Sequence, residues 1–263
     1  MVKLSVAIIA HNEAHNLPAA LASVSWADQL VVVDCESSDG SIAIAEQSGA
    51  EVYYAPNRPN LNINKNIAIE HCRGEWVLVL DADERVPDPL AGQIRRVINE
   101  GNRDGYLIPR CNHVLDRRLR YGGQYPDRQL RLFRQGRGRF PAEHIHERVR
   151  VEGTVGKLSE PLEHHPYRSY GELMRKGAFY VEFEAQRLHA LNRRVSGAGL
   201  IWKSGVKPIL RFNARFIFKG GFLDGAPGFM AAYFDAWNQA ARWLRLWELS
   251  RQGIIGVPAC KKG

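Results

Sequence analysis

The sequence predicts an α/β fold, a mostly parallel sheet with helices on its faces, followed by a C-terminal amphipathic helical segment. Three observations predict it. Short apolar runs alternate with amphipathic stretches through the first 110 residues. Several of those runs end at a carboxylate or a polar turn, where open α/β sheets form their ligand crevice. The last hundred residues replace the alternation with long, aromatic-rich helical stretches.

Taken in order, strands are expected at Leu4–Ala10, 30–34, Glu51–Tyr54, Trp76–Asp81 and 105–110. Between them Leu17, Leu21 and Val24 recur at helical spacing, as do Ile63, Ile67 and Glu70, and then Ile94, Val97 and Ile98. From 111 to 165 the chain turns rich in Arg, Gly and Pro, with short apolar runs at 130–133 and 148–151, and reads as irregular and partly antiparallel. A boundary near residue 165 divides a first domain, 1–165, from a helical segment, 166–263; within the first domain a change of character near 110 separates two halves.

Composition excludes several classes. A hydrophobic share of 45% is that of a globular chain. The apolar run Leu4–Ala10 is too short for a secretion signal and passes straight into His11-Asn12-Glu13, and no apolar run reaches the length of a membrane span. Cys35, Cys72, Cys111 and Cys260 form no Cys-x-x-Cys pair, which argues against a zinc site or a disulfide framework and fits a reducing cytoplasm. Charge is unevenly placed: residues 1–164 carry 20 Lys and Arg against 22 Asp and Glu, residues 165–263 carry 16 against 6. An anionic partner is therefore expected for the C-terminal part alone.

The sharpest motif is Leu78-Val79-Leu80-Asp81-Ala82-Asp83-Glu84, a buried strand delivering two carboxylates at its end. Strand alternation sends Asp81 and Asp83 to the same side, where their oxygens suit Mg²⁺ or Mn²⁺ carrying a pyrophosphate. Acidic turns after strands are common, so context decides. Ala10-His11-Asn12-Glu13 follows the first strand, Asp34-Cys35-Glu36-Ser37-Ser38-Asp39-Gly40 the second, and Asn62-Ile63-Asn64-Lys65-Asn66 opens a helix. Four such clusters at strand ends and helix starts can grip a nucleotide, although Ser38 and Asp39 read equally as helix caps.

With those motifs in that order, residues 3–110 resemble the family 2 glycosyltransferases. The resemblance implies a GT-A, Rossmann-like fold, a nucleotide-diphosphate sugar donor, a divalent metal and inversion at the anomeric carbon. It implies that Ala10, Asn12 and Glu13 line the nucleoside pocket, that Asp34 faces base or ribose, and that Lys65 lies near the nucleotide. Asp81 would hold nucleoside and metal, and Asp83 the metal. Many members carry Asp-Asp-Gly-Ser after the second strand, whereas here Cys35 and Glu36 follow Asp34.

The second half resembles lipopolysaccharide core glucosyltransferases, through Arg128-Gln129-Leu130-Arg131-Leu132-Phe133-Arg134, the turn from Gly136 to Phe140, His146-Glu147-Arg148-Val149, His164, and Gly220-Gly221-Phe222-Leu223-Asp224-Gly225. The implied reaction is hexosyl transfer, glucose from UDP-glucose, to a lipopolysaccharide core or other lipid-linked glycan. Residues 1–165 would then be catalytic, with a donor half over 1–110 and an acceptor half over 111–165. Inversion needs a base for the acceptor hydroxyl; Glu147 is the candidate, an ion-pair partner for nearby arginines the alternative, and Asp127 and Glu143 are the fallback carboxylates. His164 is a further candidate metal ligand, and Arg128, Arg131 and His146 are candidates for acceptor or diphosphate. Structural histidines and a charge-protected strand edge are the competing readings.

In 208–220, Arg211, Arg215 and Lys219 recur every fourth residue, and Ile209, Phe212 and Phe216 mark a neighbouring face. This amphipathic basic helix, with Trp202, Trp237, Trp243 and Trp247 nearby, fits an anionic membrane surface and a peripheral location on the inner face of the cytoplasmic membrane, no nucleic acid being required. Packing of the same aromatics as a helical hairpin is the alternative, with Gly220-Gly221 as its bend. Two other functions fit the sequence less well. A sugar-nucleotide nucleotidyltransferase lacks its Gly-rich, Arg-containing turn here, and a non-enzymatic basic module binding lipid or nucleic acid leaves Asp81 and Asp83 without a purpose.

Overall fold

The protein, seen in a computed structural model, is described over residues 2–141 and 148–252. The elements run β1 (Leu4–Ala10), α1 (Leu17–Ser23), β2 (Gln29–Asp34), α2 (Ser41–Gln47), β3 (Glu51–Tyr54), α3 (Leu61–Glu70), β4 (Trp76–Asp81), β5 (Glu84–Arg85), α4 (Asp88–Glu100) and β6 (Gly105–Val114). There follow β7 (Arg117–Arg118), β8 (Asp127–Arg134), β9 (Gly138–Arg139), β10 (Arg150–Val151), β11 (Val155–Lys157) and β12 (Leu162–His164). These residues and the helices beyond them form two compact units, 1–112 with 126–165 and 113–125 with the residues from 166 onward.

In the first unit the sheet order is β3-β2-β1-β4-β8-β6-β12-β5. β1 pairs parallel with β2 and β4, and β6 pairs parallel with β11 and β12. β8 lies antiparallel between β4 and β6. The apolar runs are continuous because both faces are covered. Trp76, Leu78 and Leu80 of β4 face one core with Leu17 and Leu21 of α1 and Leu90 and Ile94 of α4. Val77 and Val79 face the other, with Ala68 and Ile69 of α3 and Phe133 of β8.

β8 departs from a regular strand. Its register with β6 runs Tyr106 to Leu132 and then Leu107 to Leu130, so Arg131 is an extra residue, a β-bulge. Leu130 and Leu132 accordingly pack into opposite cores. A face shared by Arg128 and Arg134, expected of a regular strand, does not exist, because the bulge shifts the alternation between them.

The second unit takes in 113–125, which sequence character had grouped with the first domain. Asp224 accepts the N–H groups of Arg120 and Tyr121 at 3.0 and 2.8 Å, and the Lys219 carbonyl accepts that of Gly122 at 2.9 Å. Its helices are α5 (Tyr170–Ala190), α6 (Gly197–Ile201), α7 (Lys207–Asn213) and α8 (Gly225–Gln252), with π-helical turns at Trp202–Val206 and Ala214–Phe218. Gly220 (φ +69°) makes the bend, and a side chain on Gly221 would press within 2.8 Å of the Arg215 carbonyl.

Two of the three cations of the basic stripe are engaged by a neighbouring helix. Arg211 and Arg215 both pair with Asp235 of α8. Phe212 and Phe216 pack edge-on against Phe229, each at 5.6 Å. Arg211, Arg215, Phe212 and Phe216 thus engage α8 while Ile209 and Lys219 stay exposed, because Asp235 supplies a counter-charge there and a π turn spans more residues than an α turn, shifting the phase. Large apolar residues are exposed as well: Ile209 is 63% exposed and Phe218 84%. Trp243 and Trp247 lie under Lys203 and Arg251, whereas Trp202 and Trp237 stay exposed. Among the described residues no helix is long and apolar enough to cross a membrane.

Close approach of β1 to the turn before β4 gives a test. A Cβ on Gly74 would sit 2.7 Å from the Ser5 backbone nitrogen, and the Gly74 N–H donates to Ser5 Oγ at 2.8 Å, so neither side can yield. Gly74→Ala is expected to destabilise by about 1–3 kcal/mol in urea unfolding, the cost of overpacking a filled core.

Candidate functional site

β1, β2 and β4 end side by side, with Ala10 level with Asp34 and Ile9 level with Asp81. Two strand spacings, about 9.5 Å, therefore separate the last residues of β2 and β4. Ala10 is buried, and its carbonyl accepts the Cys35 N–H at 2.7 Å. Asn12, in the left-handed region at φ +55°, accepts the Ser38 N–H at 2.8 Å and donates its own N–H to Ser37 Oγ at 2.9 Å. Glu13 donates its N–H to Ser41 Oγ and accepts from the Asn16 side chain at 2.7 Å. Asp39 accepts the Ser41 and Ala14 N–H groups, tying the loop after β2 to the one after β1, while the N-cap of α2 is Gly40.

Asp34 is 2% exposed. Its Oδ2 accepts the Ser37 N–H at 3.0 Å, while Oδ1 is buried without a hydrogen-bond partner among the described residues. A carboxylate oxygen left in that state is costly unless a donor arrives to meet it.

Asp81 is held from two directions. Lys65 of α3 brings Nζ to 2.5 Å of Oδ1, and Arg131 brings Nη2 to 2.5 Å of Oδ2. The same Nη2 lies 2.6 Å from Oε1 of Glu84, which is 0% exposed and whose Oε2 accepts the Asp81 N–H at 3.0 Å. Arg110 approaches Glu84 at 3.5 Å and binds Asp127 at 2.6 Å. Burial would raise Asp81, but Arg131 and Lys65 outweigh it and hold the carboxyl well below the usual range. Burial pushes Glu84 up against the pull of Arg131, and the charge on Asp81 adds to that rise. Arg131, 5% exposed, is committed to these two carboxylates and not turned to a phosphate.

The alternation argument for Asp81 and Asp83 stops at Asp81, where β4 ends. Asp83 lies in the following turn, with Oδ1 3.6 Å from Nε2 of His164. His164 Nδ1 is 2.7 Å from Asn112 Oδ1, which holds the ring with Nε2 toward Asp83. Burial keeps this imidazole neutral, lowering it to about 4 despite the charge on Asp83.

Of the other candidates, Arg128 donates to the Leu158 carbonyl at 3.4 Å. Asp127 is raised by burial but lowered further by Arg110, a poor setting for a base. Glu143, His146 and Glu147 lie outside the described residues. The sequence motifs include Glu84 and Asn66 without giving either a role of its own, and they leave out Arg110. Asn66 clasps Phe140 through both backbone groups, at 2.9 and 3.0 Å, beneath the Lys65 ammonium. The alternate asparagines of α3, residues disfavoured inside helices, were the available signal.

Residues 5–153 match the profile of Glycosyl transferase family 2. The chain belongs to that family. The transferase is 29% identical to an uncharacterized glycosyltransferase of Rickettsia felis, over 97% of its own length and 92% of the relative's. It is 29% identical to the lipopolysaccharide core biosynthesis glycosyltransferase LpsC of Rhizobium meliloti, over 58% of this chain and 59% of that one. Its fold is that of S. aureus TarS 1-349, crystallised in complex with UDP, at a TM-score of 0.51 and 17% identity, covering 95% of this chain and 92% of TarS 1-349. The GT-A expectation therefore holds for the fold, and the activity is glycosyl transfer.

The ion cluster in the transferase gives a second test. Arg131→Met leaves Glu84 buried with weakened compensation and should cost about 3–5 kcal/mol. Arg128→Met, in the same strand, should cost less than about 1 kcal/mol in the same urea titration.

Proposed function

We propose that the transferase moves a hexose, glucose from UDP-glucose, with inversion onto a lipopolysaccharide core or other lipid-linked glycan at an anionic membrane surface, using Mn²⁺ or Mg²⁺. The observation that carries the donor reading is the buried, unpartnered Oδ1 of Asp34 at the end of β2. The imide N–H of uracil or a ribose hydroxyl is the donor it lacks. UDP in TarS and the lipopolysaccharide core biosynthesis assigned to LpsC support the same direction.

The residues fit a divalent cation. Asp83 offers a carboxylate oxygen and neutral His164 an imidazole lone pair, facing one another at 3.6 Å, a donor set that Mn²⁺ accepts readily and Mg²⁺ through its carboxylate member. Asp83 and His164 would hold the ion, with Asp81 behind them kept ionised between Lys65 and Arg131. The chemistry supplied by a bound cation would be neutralisation of charge on the departing diphosphate.

The chain's own residues do the rest. Asn12 and Glu13, fixed by the serines of the β2 loop, shape the nucleoside side together with Ala10. Lys65 carries its positive charge to the donor side of Asp81. Glu147 takes the proton from the acceptor hydroxyl as that oxygen attacks opposite the leaving group, and no covalent enzyme intermediate forms. Arg128 and His146 are the candidates for binding acceptor or diphosphate.

UDP-glucose turnover, followed as UDP release with Mn²⁺ or Mg²⁺, tests this reading. Chelation and Asp83→Ala should each abolish turnover, and added Mn²⁺ should restore the chelated wild type alone; metal-independent turnover would overturn the cation's part. Asp34→Asn should weaken UDP binding by about ten- to a hundredfold in calorimetry, the worth of a hydrogen bond to a charged group. Unchanged affinity would remove Asp34 from the donor pocket.

A further inference from the structure

The second unit pairs Arg211 and Arg215 with Asp235 and leaves a row of large apolar side chains exposed. Trp202, Val206, Ile209, Leu210, Ile217 and Phe218 are all exposed along the helical stretch 197–218. Phe222 and Leu223, just past the bend, extend the same exposure. Soluble proteins scatter large exposed apolar residues singly, and a run of this length marks a surface that something covers.

Charge identifies the cover. All six acids in residues 165–263 are engaged: Glu172 by Arg168 and Lys176, Glu182 and Glu248 by Arg245, Glu184 by Arg187, Asp235 by Arg211 and Arg215, and Asp224 by backbone N–H groups of Arg120 and Tyr121. Sixteen Lys and Arg stand against those six. Exposed Lys207 and Lys219 lie within the apolar stretch or at its end. Beside Leu223, Arg117, Arg118 and Arg120 line a concavity of about 650 Å³ with Tyr121. A second copy of this face would oppose cation to cation. Apolar side chains rimmed by Arg and Lys, with Trp202 and Tyr121 among them, suit acyl chains bordered by anionic phosphates.

We infer that the outward face of 201–223 inserts into the interface of an anionic phospholipid bilayer, with the arginines at 117–120 receiving head-group phosphate. This rests on the lipid-linked acceptor of the proposed function and names the surface that meets its membrane.

The test is co-sedimentation of the full chain with vesicles of phosphatidylcholine, alone or mixed with phosphatidylglycerol. Binding is expected to the mixed vesicles, at least about tenfold tighter than to phosphatidylcholine and weakened by salt. Ile209→Ser with Phe218→Ser should reduce it by about tenfold or more. Arg117→Ser with Arg118→Ser and Arg120→Ser should reduce it on the order of a hundredfold on the mixed vesicles only. UDP release in vesicle-free solution should be unchanged in both variants, which reports folding and separates failure here from failure of the donor reading. Equal binding by wild type and variants, absence of binding to anionic vesicles, or a dimer in sedimentation equilibrium that the apolar variant disperses would each overturn the inference.

Discussion

The first unit turns on one buried arrangement, the Arg131 guanidinium shared between Asp81 and Glu84. Three ionised groups in a nearly dry setting are tolerable only if each oxygen finds a donor, since the desolvation of a single unmatched charge exceeds what any one pair returns. Here every carboxylate oxygen is met: Lys65 takes the other oxygen of Asp81, the Asp81 N–H takes the other oxygen of Glu84, and Arg110 stands behind Glu84, although Nε of Arg131 is buried without a hydrogen-bond partner among the described residues. β4, β5, β6, β8 and α3 each contribute a member. The carboxylate at the end of β4 is thereby fixed in place and in ionisation state before any ligand arrives.

That arrangement explains what the residues revealed and what they concealed. The β4 run was legible because burial on both faces makes a strand continuously apolar, and the carboxylates behind it mark where the sheet meets solvent. Asp34 was legible for the same reason. The part played by Arg131 was not. Periodicity presumes one residue per position on each strand, and a bulge breaks that presumption without altering composition. Glu84, adjacent in sequence to the Asp-x-Asp, looked like part of the same acidic turn, and only the fold shows it pointing into the interior.

The stretch 197–218 failed for a related reason. Fourfold spacing of Arg211, Arg215 and Lys219 defines a stripe but not the direction it faces. An acid on a neighbouring helix, Asp235, decided that direction for Arg211 and Arg215, and nothing local to the stripe encodes it. Two π turns then moved the phase of the apolar residues away from that given by an α-helical period.

The bulge in β8 has one more consequence, for how this strand can vary over time. Since Leu130 and Leu132 serve opposite cores only because one residue stands out of register between them, the strand tolerates exchange of one aliphatic side chain for another far better than it tolerates gain or loss of a residue. Shortening it by one would straighten the ladder and withdraw the guanidinium from both carboxylates at once. In this segment length is held more tightly than identity.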